Sequence, residues 1–160
     1  MKGVTFILFV CGLQCVSWRA LPQGTDPTDT TWRNISTGDF YKKYSPLNFL
    51  HILKDDFKKK NKFNVFTVMP SPANWVTEEH IDGLIKLIYN TDSTHSIMSA
   101  LSSYLPSDKF SSIGREAQNL IECFRTKKNY PIALNSFGQP DEKKGKELEE
   151  WWANYKKRKP

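Results

Sequence analysis

The sequence predicts a mainly α fold: about five amphipathic helices in one helical domain, with at most one or two short strands. Three observations carry this expectation. Apolar residues recur at three- and four-residue steps in separate segments, as a helix with one buried face requires. Those segments open on Ser, Thr or Asp and close on Lys, Arg or Pro, the residues that start and stop helices. A single run, Phe63 to Met69, has the β-branched and aromatic composition of a strand.

The chain opens with Lys2, an apolar run from Val4 to Val10 and then Cys15-Val16-Ser17. A positive start, a short apolar core and small residues at the cleavage positions predict a secretory signal peptide over 1–17, cut after Ser17. No later run approaches the roughly 20 apolar residues of a spanning helix, so no transmembrane segment is expected. Residues 18–45 read as an extended polar arm, because Pro22, Gly24, Pro27 and a Thr/Asp run supply turn chemistry and little apolar mass. Trp32, Phe40, Tyr41 and Tyr44 are the residues able to pin that arm to the domain. Asn34-Ile35-Ser36 is an N-glycosylation sequon, which makes Asn34 the expected glycan site of an exported chain.

Residues 46–160 form the predicted helical domain. Pro46 suits a first-turn position. Leu47, Leu50, Leu53 and Phe57 stripe a helix over about 47–61, with lysines in its last turn. Phe63–Met69 is a short strand or an extended connector ended by Pro70-Ser71-Pro72. Thr77 caps a helix over about 78–90, with Glu78 and Glu79 in its first turn and Ile81, Leu84, Ile85 and Ile88 on one face. Asp92 or Ser93 opens a helix carrying Ile97, Met98, Leu101 and Leu105, which Pro106 closes. Ser112 caps the next, where Ala117, Leu120, Ile121 and Phe124 are apolar, with Cys123 beside them. Asp141 caps the last, over about 142–157, striped by Leu148, Trp151, Trp152 and Tyr155. Gly114, in a first turn, implies close approach of a neighbouring element.

The stretch from Glu79 to Pro131, with Ser112-Ile113-Gly114-Arg115-Glu116-Ala117 opening a Leu-Ile helix, resembles the paired helices of HEAT-like modules in exported proteins. Those modules show a similar Ser-x-Gly-x-x-Ala start. The resemblance covers about a third of the chain and implies a scaffold for binding. Nothing repeats at a period of about 40 residues elsewhere, so no solenoid is expected.

The search for chemistry returns no catalytic set, no metal set and no cofactor fingerprint. His51, His80 and His95 form neither His-x-x-x-His nor His-Glu-x-x-His. The nucleophile elbow and the Gly-rich phosphate loops are missing. Asp55-Asp56 and Glu149-Glu150 are adjacent pairs, and neighbours along a helix point about 100° apart, so neither pair converges on one atom. Cys11 and Cys15 leave with the signal peptide, and Cys123 remains as a lone thiol expected to be buried.

The formal charge is +6, and the cations cluster. Lys58, Lys59 and Lys60 end the first helix. Lys156, Lys157 and Arg158 end the last. Together they are the candidate anion-binding residues, although a solvated face is the commoner role of such runs. The sequence therefore predicts a secreted, non-enzymatic interaction module. Its expected partner is an extracellular protein or an anionic glycan or lipid surface, and not nucleic acid. The competing readings are a small secreted hydrolase whose site assembles only in the fold, and a basic host-defence or heparin-binding effector.

Overall fold

The computed structural model of the protein describes residues 37–59 and 65–158; the predicted signal peptide, Asn34 and Lys60 lie outside the described residues. Among those residues, five helices pack with a four-stranded mixed sheet, which overturns the expectation of a mainly α fold. The elements run α1 (Thr37–Lys43), α2 (Pro46–Lys58), β1 (Val65–Val68), α3 (Glu78–Ile85), β2 (Ser93–Ser99), β3 (Phe110–Ser112), α4 (Ile113–Thr126), β4 (Asn135–Ser136) and α5 (Glu142–Arg158).

The main departure is β2, where the spacing of Ile97, Met98, Leu101 and Leu105 predicts a helix. Ser93–Ser99 is instead the central strand. It runs parallel to β1 along one edge and pairs antiparallel with β3 and β4 along the other. Its Ser, Thr and His residues are indifferent helix formers. Partners on both edges satisfy the backbone of this buried segment, which an isolated helix pattern cannot foresee. The stretch Phe63–Met69 thereby gains a mate: Val65–Val68 pairs in register with Ser96–Ser99. Parallel neighbours need a crossover, and the segment containing α3 provides it. Within 79–131 the chain is thus helix, strand, strand and helix rather than three successive helices.

The other helices follow their local signals. Ser45 Oγ accepts the Asn48 N–H at 3.2 Å, and Pro46 opens α2. Ser112 Oγ accepts the Arg115 N–H at 3.2 Å at the start of α4. Asp141 Oδ1 accepts the Lys144 N–H at 3.0 Å at the start of α5. Helix α3 stops at Ile85 and continues as turns, with Leu87 N–H on Leu84 O and Asn90 N–H on Leu87 O. The end of the expected arm is helical: α1 buries Phe40 and Tyr41, and Tyr44 follows it into the core. Trp75 Nε1–H donates to Tyr44 O at 2.9 Å, fastening this segment to the domain.

Phe49, Leu53, Ile81, Leu84, Ile97, Leu120 and Ile121 form the centre of the core, and all are fully buried. Phe49 anchors an aromatic cluster in edge-to-face contact with Phe40, Phe66, Trp75 and Tyr130, a geometry that adds to burial alone. A Cβ on Gly114 would lie 2.7 Å from Asn90 O, so α4 approaches the turn before β2 too closely for any side chain there. Cys123 is free and buried, and burial pushes its thiol pKa up to about 12.

One polar group sits at the heart of this packing. Glu116, on α4, has no exposed surface. Its Oε1 accepts the hydroxyls of Ser111 at 2.5 Å and Ser136 at 2.6 Å. Its Oε2 accepts the Tyr130 hydroxyl at 2.6 Å, and Asn119 Nδ2 adds contacts to Oε2 at 3.5 Å and to Ser136 Oγ at 2.8 Å. A single side chain therefore ties α4 to β3, to β4 and to the loop between. Glu116→Ala would leave three buried hydroxyls without their acceptor. In urea titration it should lose about 3–5 kcal/mol of stability, the range for breaking a buried charged or polar network. A loss below about 1 kcal/mol would show that the network is dispensable.

Candidate interaction surface

The titratable residues singled out in the sequence disperse. His51 is exposed on α2. His95 and Asp56 do come together: Nε2 lies 3.2 Å from Oδ2, with both residues buried. Phe57 meets the imidazole edge-to-face, and Phe66 tilts against it. This pair has the elements of a general base, but it is packed under aromatic rings. Substrate contact would require the core to open. Asp55 diverges from Asp56, and Glu149 turns outward to accept the Tyr89 hydroxyl at 3.0 Å. Among the described residues, no three His, Cys, Asp or Glu side chains gather into a metal set.

An open cleft of about 530 Å³ is lined by Thr77, Glu78, Glu79, Asp82, Trp152 and Lys156. Its groups engage one another. Asp82 Oδ1 accepts Trp152 Nε1–H at 2.7 Å and Lys156 Nζ at 3.1 Å, and these two bonds hold its carboxyl below the usual range. Tyr155 donates to Glu78 Oε2 at 3.2 Å. Trp152 is thus a buried anchor, and Trp151 is half-buried against Phe124. Lys156, one of the predicted anion ligands, is taken by Asp82.

Among the described residues, Lys58 and Lys59 lie at the opposite end of the fold from Lys156, Lys157 and Arg158. Helix α4 points the same way as β2. Its first turn meets the chain just before β2, where Gly114 N–H donates to Asn90 O and Ile113 N–H to Asp92 O. Past its last turn, Tyr130 pairs with Ser71 beyond β1, and Leu134 O accepts Ser99 N–H at the end of β2. Helix α2 runs the other way. Its first turn stacks Phe49 on Tyr130, while Lys54 near its far end meets Asp92 at 2.6 Å, with Lys58 and Lys59 following. Helix α5 ends with α4, because Trp151 and Tyr155 both pack on Phe124. Lys157 and Arg158 therefore lie at the same end of the fold as Lys127 and Lys128. None of these four exposed cations has a carboxylate partner among the described residues, whereas Arg125 nearby is paired with Glu122 at 2.9 Å.

The same end carries an apolar turn. Leu101, Tyr104, Leu105 and Leu134 are 69%, 52%, 57% and 55% exposed, and Met69 at the end of β1 is 43% exposed. The turn is built by hydrogen bonds. Ser99 Oγ accepts Leu101 N–H at 3.3 Å, and Ser102 Oγ accepts Tyr104 N–H at 3.2 Å. The Asn135 amide binds the Ser102 hydroxyl and, in the orientation that satisfies all its partners, donates to the carbonyls of Tyr104 and Leu134. Gathered apolar exposure of this kind marks an interaction site, whereas scattered leucines do not. Leu101 and Leu105, expected on a helix, lie instead in the exposed segment that follows β2. No described helix is long and apolar enough to cross a membrane.

No family model matches this sequence, and no curated protein or solved structure matches it significantly.

His80 has a titration legible from its contacts. Its Nδ1 accepts the Thr77 N–H at 3.1 Å, so the start of α3 uses the neutral ring. Burial lowers its pKa, opposed by Glu79. The unfolded chain then takes up the proton first as pH falls. The stabilisation is complete above about 6.5 and is lost as pH drops from there through the lower folded value. His80→Gln keeps an acceptor and removes the titration. Its melting temperature should therefore fall less than that of wild type just below pH 6.5. Parallel pH profiles of the two proteins would contradict the assignment.

Proposed function

We propose that the protein is an exported, non-enzymatic interaction module that engages an extracellular partner through the end of the molecule where β2, α4 and α5 terminate. One observation carries this reading: at one end of the fold an ordered apolar turn stands exposed, and four cations at that end lack carboxylate partners among the described residues. The groups with catalytic potential support it from the other side. Glu116 is committed to an internal network, and His95 and Asp56 are packed beneath aromatic rings. The carboxylates of the open cleft are likewise engaged, Asp82 by Trp152 and Lys156 and Glu78 by Tyr155, which favours the binding reading over the hydrolase alternative. Export rests on the reading of residues 1–17, and glycosylation on the Asn34 sequon.

Expressed in secretory cells, the protein should appear in the medium with Trp18 at its N-terminus and lose mass on N-glycosidase treatment. Retention with Met1 intact would end the extracellular reading, and a mass indifferent to the glycosidase would end the glycan assignment. Labelled mature protein should bind cell surfaces saturably. A Leu101→Asp/Leu134→Asp variant with wild-type melting temperature should lose that binding. Undiminished binding by this variant would rule out this end as the interaction surface.

A further inference from the structure

We infer that the partner of this surface is an anionic lipid bilayer, with Leu101, Tyr104 and Leu134 entering the headgroup region and Lys127, Lys128, Lys157 and Arg158 lying against lipid phosphates and carboxylates. The inference rests on the reading of this end as the interaction surface and names what it binds. Two independent features point to a bilayer. The first is the coincidence of chemistries. A sulfated glycan is recognised by cations and gains little from exposed leucines. A bilayer interface rewards both at once, because aliphatic side chains enter the acyl boundary while cations are drawn to the anionic headgroups. The charges also suit a bilayer: the chain is +6 overall, and the loop that begins at Lys127 and Lys128 ends at Leu134 of the apolar turn.

The second feature is Lys127 itself. It ends α4 in the left-handed conformation, φ 57°, a position that glycine fills with less strain. Its side chain lies over the Phe124 ring, with Nζ 4.4 Å from the centroid, and the residue stays exposed. Its N–H closes α4 on the carbonyls of Cys123 and Phe124, a task of the backbone that does not call for a lysine side chain, so the exposed ammonium is left for the surface. The surface so defined lies on the membrane without crossing it, in keeping with the absence of a spanning helix among the described residues. The aromatic pair Trp151 and Trp152 takes no part, since both pack inward.

Sedimentation of the mature full chain with vesicles tests this. Binding is expected to vesicles of phosphatidylcholine mixed with phosphatidylserine and not to phosphatidylcholine alone, and it should weaken as salt is raised. Leu101→Ser and Leu134→Ser should each reduce partitioning about tenfold at low salt. Lys127→Gly should reduce binding while leaving the melting temperature unchanged or raised, an outcome that a purely capping lysine would not give. No binding to the mixed vesicles, equal binding to both vesicle types, or binding insensitive to the leucines would each overturn the inference. Retention on heparin with no vesicle binding would overturn it in favour of a glycan. If vesicles fail while Leu101→Asp/Leu134→Asp still abolishes cell-surface binding, the interaction end stands and the lipid assignment alone falls.

Discussion

A carboxyl group with no exposed surface must be met by donors from its own chain, and the contacts of Glu116 organise this molecule. Leaving such a group unsatisfied is expensive, so its partners become mutually dependent. Ser111 arrives from β3, Ser136 from β4 and Tyr130 from the loop between α4 and β4. None of these elements is long: β3 spans three residues and β4 only two. Short strands gain little from their own ladders, and the shared acceptor compensates by fixing where each lies on α4.

The direction of α4 follows from that attachment. With its first turn at the chain entering β2 and its following loop at the chain leaving it, α4 brings Lys127 and Lys128 to the end where the apolar turn emerges. Helix α5 adds Lys157 and Arg158 through the stacking of Trp151 and Tyr155 on Phe124. The proposed interaction surface is therefore a by-product of internal packing, and its exposed leucine side chains stand outside the core. Such a division lets the exposed side chains be chosen for a partner, because exposed substitutions alter stability little.

The sequence discloses the parts of this fold that are decided locally. Thr77, Ser112 and Asp141 mark helix starts because a cap acts within three residues of itself, and those three starts are present, whereas the start read at Asp92 or Ser93 opens a strand. Apolar stripes such as Leu120, Ile121 and Phe124 are buried as their spacing implies. What escaped detection depends on distant partners. Helical spacing of Ile97, Met98, Leu101 and Leu105 imitates a buried face, and only β1 on one edge with β3 and β4 on the other makes Ser93–Ser99 a strand. The misassigned leucines then turn out to be the exposed ones. The lysine runs were visible, but their grouping was not, since α2 and α4 run in opposite directions and separate Lys58 and Lys59 from Lys157 and Arg158. Nothing in the sequence marks Glu116 for its role, because its three hydroxyl donors are scattered along the chain.

Hydrogen–deuterium exchange of the full mature chain, free and bound to anionic vesicles, tests the central claim most directly, because it maps contact without altering any residue. The account predicts added protection at the amides of Ala100–Leu105 and Lys127–Leu134, with the β2 ladder and the cleft at Glu78–Asp82 unchanged. Protection appearing instead around Lys54–Lys59, or in the Glu78–Asp82 cleft, would contradict it.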